Sequence, residues 1–489
     1  MMKAQLPLRA APIKFGTDGW RGLLGVDITV ERLLSVAAAA AQELAFRAPK
    51  EQNSRIVVIG YDRRFLAPEL AEAIAAAVRG CELEPLLTET PVPTPACSWA
   101  VVQHKALGAL VITASHNPPE WLGLKIKGPF GGSVEGDFTA AVEQRLAAGG
   151  ITVPVEGYTP RFDGRKEHLE GLKSKLDLEA LKQGLKAMDL NVIIDPMHGS
   201  AAGCMTELLK TGNQCNINEI RSQRDPLFGG YPPEPLEPYL QQLIGAVKNG
   251  SSHGKTTLGL VFDGDGDRIA AIDENGNFCS TQLLMPLLID HLARARQLPG
   301  KVVKTVSGSD LMRLVAEGLG RDVLEMPVGF KYIAAEMLAN EVLIGGEESG
   351  GVGFGIHLPE RDALFAALLV LEALVEGGKP LGQRIQELQS RCGVQSTYER
   401  IDLQLANMES RHRLEQLLLD TPPKTVANQT VQEVIRTDGV KLRLGPSHWL
   451  MFRFSGTEPL LRIYCEAPSS ADLQAALTWA QQLAERESS

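Results

Sequence analysis

The stretch "RIVVIGYD", Arg55 to Asp62, is followed four residues later by "APELAEAIAAAVRG", Ala67 to Gly80. The first is a short run of β-branched residues ending in a polar turn. The second repeats small and apolar residues at helical spacing, so the pair predicts a strand followed by a helix. The same grammar returns twice. "NVIIDPMHGSAAG" (Asn191–Gly203) precedes "CMTELLKTG", and "TTLGLVFDGDGD" (Thr256–Asp267) precedes a segment containing "TQLLMPLLIDHLARAR" (Thr281–Arg296). Strands alternating with helical patterns predict sheets covered by helices, hence an α/β protein. Because no stretch repeats literally, several similar domains fit better than a solenoid.

The length of 489 residues exceeds one core and predicts about three domains. Seams fall at Gly/Pro-rich or polar stretches around Pro154 to His168, near Asn275 and near Gly393. We therefore expect domains at 1–165, 166–277, 278–392 and 393–489. The last changes character: "WLMFRFSGTEPLLRIYCEA" (Trp449–Ala467) reads strand–loop–strand, and "SSADLQAALTWAQQLAERE" reads as a serine-capped helix. That predicts a smaller α+β domain after three mixed α/β domains.

A formal net charge of -10 argues against a nonspecific nucleic-acid binder. The seven cysteines are scattered without a C-x-x-C pair, which suits reduced thiols and a cytoplasmic setting. The first residues lack a long apolar run, so no signal peptide is expected. The greasiest segment, "DALFAALLVLEALVEGG", is interrupted by Glu372 and is too short for a bilayer; it predicts a buried helix. Neither a membrane nor a nucleic-acid partner is expected, and both a monomer and a homodimer fit.

Five loops carry chemistry. "ALVITASHNPPEWLGLKIK" (Ala109–Lys127) places Ser115 beside His116 on a loop stiffened by two prolines, between two strand-like runs. A serine hydrolase would want G-x-S-x-G at a strand-to-helix elbow, and "TASHN" lacks both glycines. Ser115 suits a phosphoryl carrier, which predicts a metal and cations nearby because a phosphoserine adds about -1.5 to -2 charge. "LVFDGDGDRIAAIDENG" supplies the metal candidate. Asp263, Asp265 and Asp267 alternate with glycines that let three carboxylates converge, and hard oxygen donors select Mg²⁺ or Ca²⁺. An EF-hand loop is the rival, since Glu274 falls at its twelfth position. Its sixth position, however, is Arg268 where that turn needs glycine, and the flanks read as strands. Arg268 would offer phosphate a second contact.

"KFGTDGWRG" carries Arg21, and read alone it is equally a surface turn. "LIGGEESGGVGFG" contains G-G-V-G-F-G, but an acidic pair precedes it and no helix clearly opens there, so a dinucleotide site is a poor reading. Glu347 and Ser349 suit hydrogen bonds to sugar hydroxyls. In "RFSGTEPLLR", Arg453, Ser455, Gly456 and Thr457 combine a cation with hydroxyl and amide donors, the composition of a phosphate cradle.

In this order the loops resemble the α-D-phosphohexomutase superfamily, from Lys14 to Arg462. "TASHNPP" and "DGDGDR" are the most specific motifs, joined by "GGEESGG" and "RFSGTEP". The resemblance implies four domains in a heart-shaped molecule around a central cleft. It implies a phosphoserine at Ser115 and one Mg²⁺ held by Asp263, Asp265, Asp267 and that phosphoserine. Lys125 would be a general acid/base, Arg21, His116 and Arg268 would line the reaction centre, and Glu347, Ser349 and Lys331 would grip the sugar. Arg453, Ser455, Gly456 and Thr457 would hold the non-reacting phosphate. "GFKYI", with Phe330 and Lys331, and "GEESGG" look most like phosphoglucomutase; many relatives have histidine where this chain has Phe330 and Gly351. The implied reaction interconverts glucose 1-phosphate and glucose 6-phosphate through glucose 1,6-bisphosphate, with mannose phosphates as a second substrate pair. A glucose-1,6-bisphosphate synthase and a noncatalytic sugar-phosphate binder are the competing readings.

Overall fold

The computed structural model describes residues 10–49, 54–149, 154–209, 216–456 and 458–488. Thr457 and Cys215 lie outside the described residues. The chain forms two compact units. One comprises Met1–Ser280, Gly329–Asn340 and Ser349–Gly382; the other comprises Thr281–Val328, Glu341–Glu348 and Gln383–Ser489.

In the first unit a six-stranded sheet runs in the order β1-β5-β4-β2-β3-β6, with β1 (Trp20–Leu23), β2 (Ile56–Tyr61), β3 (Glu84–Thr88), β4 (Gly108–Ile112), β5 (Trp121–Lys127) and β6 (Arg161–Phe162). Strand β2 is parallel to β3 and β4, so it is covered on both faces and reads as an unbroken apolar run. Its alternate side chains enter two cores. Val57 and Ile59 pack with Ala71, Ile74 and the alanine-rich helix Val30–Arg47, while Val58 packs with Cys97, Ala100 and Val111. Gly60 permits the second packing, because a Cβ there would lie 2.1 Å from Cys97 Sγ.

Strands β4 and β5 are antiparallel, with Ile112 opposite Leu124, so residues 113–120 form the loop carrying Ser115. A second sheet, β11-β10-β9-β7-β8, contains β7 (Asn191–Asp195), β8 (Asn216–Glu219), β9 (Thr257–Phe262), β10 (Ile269–Ile272) and β11 (Phe278–Cys279). Here β9 and β10 pair antiparallel, Phe262 opposite Ile269, which makes the aspartate loop a hairpin connection between strands, as the flanks predicted. Asp273 and Glu274 turn away from it: Glu274 Oε2 accepts the Gly382 N–H at 2.9 Å, so no EF-hand forms.

The second unit contains a parallel trio, β12 (Lys301–Thr305) between β13 (Val323–Met326) and β14 (Val342–Gly346). A short strand β15 (Val352–Phe354) belongs to the first unit. The C-terminal sheet of the second unit runs β16-β22-β21-β20-β19 and is antiparallel throughout. It is built from β16 (Thr397–Gln404), β19 (Glu433–Ile435), β20 (Val440–Gly445), β21 (His448–Phe454) and β22 (Leu460–Ala467), and β17 (Thr425–Val426) and β18 (Gln429–Thr430) form a separate hairpin. The helix Ser470–Ser488 follows, and Ser469 Oγ accepts the Asp472 N–H at 3.1 Å, the expected serine cap. The greasy segment is the buried helix Ala363–Gly377, capped by Gly378 at φ 59°. Among the described residues no helix is long and apolar enough to cross a membrane, and six cysteines are free thiols.

Candidate active site

Ser115 sits at φ 51°, a left-handed conformation that strains a residue bearing a Cβ. The surroundings hold it there. Its N–H donates to Thr113 Oγ1 (2.8 Å), whose hydroxyl donates to Asp62 Oδ2 (2.7 Å). Burial pushes the Asp62 carboxyl up to about 6 against the opposing Arg64 charge. Arg64 is the main staple of the loop: its guanidinium donates to the carbonyls of Ser115, Asn117, Pro118 and Trp121 at 2.6–3.0 Å. The loop therefore presents Ser115 Oγ in one place.

That oxygen donates to Asp263 Oδ2 at 2.7 Å and lies 3.2 Å from His116 Nδ1. The two loops meet only because Gly264 has no side chain; a Cβ there would fall 2.6 Å from the Ser115 carbonyl oxygen. Gly266, at φ 69°, lets the aspartate loop curl back, so Asp263 Oδ1 accepts the N–H groups of Asp267 (3.0 Å) and Arg268 (3.1 Å). One ligand atom from each of Asp263, Asp265 and Asp267 can be chosen so that all lie within 4.8 Å of one another, and all three residues are buried.

Each carboxylate is gripped by cations or donors on one side. Lys125 Nζ lies 2.8 Å from Asp265 Oδ2, 2.7 Å from Asp267 Oδ2 and 2.8 Å from Asp18 Oδ2. Thr94 Oγ1 donates to Asp265 Oδ2 at 2.6 Å, and Arg361 reaches Asp267 Oδ2 at 2.9 Å and Asp18 Oδ2 at 2.5 Å. The opposite oxygens, Asp265 Oδ1 and Asp267 Oδ1, are buried without a hydrogen-bond partner. Buried carboxylate oxygens left this way are costly unless a cation takes them. The donor set therefore fits a hard divalent ion, with the outer contacts orienting the inner ligands.

Electrostatics sort the remaining groups. Burial and the neighbouring Asp265 and Asp267 charges hold Asp263 well above the usual carboxylate range. Burial pushes Asp265 and Asp18 the same way, but Lys125 for the first, and Arg361 with Lys125 for the second, carry them below that range. Burial lowers Lys125, yet Asp18, Asp265 and Asp267 outweigh it and hold the ammonium charged. His116 goes the other way: burial, then the Arg268 and Arg21 charges, keep its imidazole neutral.

Arg21, on β1, donates to Asn117 Oδ1 at 2.9 Å, and Arg268 lies 4.0 Å from both Asp267 and Glu234. The first unit thus gathers Ser115, His116, Lys125, Arg21, Arg268 and the three aspartates. Ser349 follows in the same unit, where Gly350 O accepts the Ile269 N–H at 3.0 Å and Gly351 pairs with Arg268. Lys331 borders a small cavity lined by Phe15, Asp18, Gly19 and Ser133. The other candidates belong to the second unit. Thr281 Oγ1 donates to the Glu347 carbonyl at 2.8 Å, and Ser307 donates to Glu348 Oε2 at 2.6 Å, which fixes that end of the acidic loop. Arg453 Nε donates to Asp438 Oδ2 at 2.8 Å, and the Ser455 carbonyl accepts from Arg411 at 3.1 Å. Gly456 is exposed.

Sequence reasoning missed Asp18, Arg64, Thr94, Glu234, Arg361 and Arg411. Asp18 had a signal, being inside "KFGTDGWRG"; the others are single polar residues whose partners lie far along the chain.

Comparison with known proteins gives the context. Family models match in four consecutive stretches: the α/β/α domain I of phosphoglucomutase/phosphomannomutase at 12–150, domain II at 166–276, domain III at 281–392 and the C-terminal domain at 413–478. The phosphoglucomutase/phosphomannomutase of Thermococcus kodakarensis is 29% identical over 93% of this chain and 94% of its own. The phosphoglucosamine mutase of Carboxydothermus hydrogenoformans is 27% identical over 92% and 94%. A crystal structure from Thermus thermophilus, named as a candidate phosphomannomutase, superposes with a TM-score of 0.84 at 34% identity, covering 97% of this chain and 100% of that one. Three α/β/α domains and a C-terminal domain, in the order the motifs required, establish that the chain belongs to the phosphoglucomutase/phosphomannomutase family of α-D-phosphohexomutases.

Proposed function

We propose that this phosphohexomutase interconverts glucose 1-phosphate and glucose 6-phosphate, with Ser115 as the phosphoryl carrier. The observation that carries this reading is the 2.7 Å contact between Ser115 Oγ and Asp263 Oδ2, inside a pocket of converging carboxylates and cations. Asp263, Asp265 and Asp267 would hold Mg²⁺ together with an oxygen of phosphorylated Ser115, and the ion would supply positive charge to the transferring group.

The rest is done by the chain's own residues. The sugar hydroxyl attacks phosphorus, the bond from phosphorus to Ser115 Oγ breaks, and glucose 1,6-bisphosphate forms. After the intermediate turns end for end, its other phosphate returns to Ser115. Lys125, the general acid/base that the resemblance implies, would face the reaction centre beside His116, where three carboxylates hold its ammonium charged. Arg21 and Arg268 offer charge to the phosphoryl oxygens, and the rigid loop supplies alignment, the larger need in phosphoryl transfer. Glu347, Ser349 and Lys331 would bind the sugar. Arg453, Ser455, Gly456 and Thr457 would bind the distant phosphate.

A second reading, a glucosamine-phosphate mutase, is favoured by the phosphoglucosamine mutases among the relatives. Assays with glucose, mannose and glucosamine 1-phosphates side by side, primed with the matching bisphosphate, separate the two. Fastest turnover of glucose 1-phosphate supports the first reading; preference for glucosamine 1-phosphate replaces it. The intact mass should show a fraction about 80 Da heavy, one phosphoryl group. If no such fraction appears after incubation with bisphosphate, the carrier role fails.

A further inference from the structure

His168, on the helix Gly164–Lys173, and His357, in the loop after β15, aim at a single oxygen. Their Nε2 atoms lie 2.7 and 2.9 Å from Asp362 Oδ2, and all three side chains are buried. The other oxygen, Oδ1, accepts the N–H groups of Leu364 and Phe365, both at 3.1 Å, and so caps the helix Ala363–Gly377. The His357 ring stacks on Trp99 with centroids 5.6 Å apart.

Two histidines and a carboxylate could also hold a transition metal, but the distances favour hydrogen bonds. Ligands about 2.0–2.1 Å from a tetrahedral zinc stand about 3.3 Å apart, well outside both separations. A zinc-bound imidazole also needs an acceptor on its second nitrogen, and His357 Nδ1 is buried without a partner. The cluster is therefore a clamp that leaves the Asp362 carboxylate one orientation.

Its consequence lies in the neighbours of Asp362. Arg361 reaches Asp267 Oδ2, while the Ala363 N–H points at the carbonyl of Gly266 at 3.4 Å. Both residues flanking the clamped aspartate thus touch the aspartate loop, one through a side chain and one through the backbone. Arg361 occupies Oδ2 of Asp267 and leaves Oδ1 as the inward-facing donor.

We propose that Asp362, clamped by His168 and His357, is a positioning residue that sets the aspartate loop for its divalent ion. This rests on the reading of that loop as the metal site. The test is calorimetric titration of Mn²⁺ into the full chain, with thermal midpoints recorded alongside. Asp362→Asn keeps the capping oxygen but presents an NH₂ group to the two imidazoles; its Mn²⁺ affinity should fall about threefold or more, less than the roughly tenfold cost of losing a group bonded directly to a ligand because Asp362 acts through Arg361 and Ala363. His168→Phe deletes one donor and should weaken Mn²⁺ in the same direction, whereas His168→Gln, which keeps an N–H donor, should restore most of the affinity. Should Asp362→Asn not fold, the His168 pair decides. Mn²⁺ affinity within twofold of the parent, with only the thermal midpoint lowered, would overturn the proposal and make the cluster purely structural. A parent chain that binds no Mn²⁺ overturns the metal-site reading itself, and the proposal with it, a result distinct from any difference among variants.

Discussion

Gly264→Ala puts the meeting of the Ser115 and aspartate loops under direct strain. The added methyl would lie 2.6 Å from the Ser115 carbonyl oxygen and 2.9 Å from Pro233 Cγ. The first is a backbone atom, fixed in turn by Arg64 at 2.8 Å, so it cannot swing aside as a side-chain tip could. Reaching ordinary contact at about 3.4 Å requires the loops to part by about 0.8 Å. Overpacking of this kind costs about 1–3 kcal/mol of stability. The catalytic cost should be larger in proportion, since a misplacement of about 1 Å lowers rate roughly 10²-fold. We therefore expect hexose 1-phosphate turnover to fall about 10²-fold, read in a coupled assay at saturating Mg²⁺, in a protein whose thermal midpoint drops by only a few degrees. Gly245→Ala is the control: nothing lies within 4 Å of a Cβ there, and the helix Gln241–Ser252 should gain up to about 1 kcal/mol. A folded Gly264→Ala enzyme turning over within threefold of the parent would refute the idea that the close approach of these loops sets the reaction geometry.

Ser115→Ala should abolish turnover and the heavy phosphoprotein mass while leaving the thermal midpoint nearly unchanged; substantial residual mutase activity contradicts the carrier role. Asp265→Asn removes the charge opposite Lys125 and one inward oxygen, so the Mg²⁺ concentration for half-maximal rate should rise at least tenfold as kcat falls; an unchanged Mg²⁺ dependence rejects this ligand. Lys441, buried beside Lys304 in the second unit, is pushed down to about 7, first by burial and then by the Lys304 charge. Against an unfolded value of about 10.4, the unfolded chain binds the extra proton between these limits, so stability should climb as pH rises through that window and level off above it. Lys441→Met should flatten the climb in thermal midpoints taken from about pH 6 to 10; parallel curves for parent and variant would show the wrong group was chosen.

The loops were legible in the sequence because their chemistry is local. Alternating Asp and Gly in "DGDGD" states both the donors and the curl they need, and the flanking apolar runs state the hairpin. The Ser115 loop announces its rigidity through Pro118 and Pro119. What holds these loops does not announce itself. Arg64 serves carbonyl groups more than fifty residues ahead, and carbonyls carry no sequence signature. Glu360 and Arg361, just before the greasy helix, carry no sequence signal for burial, yet both are buried, Glu360 against Lys127 at 2.5 Å. Phe330 is packed in place: its ring lies under the Arg361 guanidinium at 5.4 Å and within 2.6 Å of where a Gly353 Cβ would stand. The placement of the "GGEESGG" loop was not legible either, because its backbone is fixed by partners as distant in sequence as Thr281.

The order in which the first unit is threaded bears on how the protein is made. Its strands and the Ser115 loop emerge from the ribosome early, but Glu360, Arg361 and the helix Ala363–Gly377 arrive only after a long excursion through the second unit. Lys127 is therefore synthesised more than two hundred residues before its ion-pair partner Glu360. A growing chain holds the Ser115 loop without the late residues that pair with its neighbours, so the pocket is complete only when most of the polypeptide exists. Truncation at the apparent end of the second sheet would remove that late helix, and a cut at Gly382 would leave Thr281–Val328 without the C-terminal segment of its own unit, so no single cut yields either unit whole.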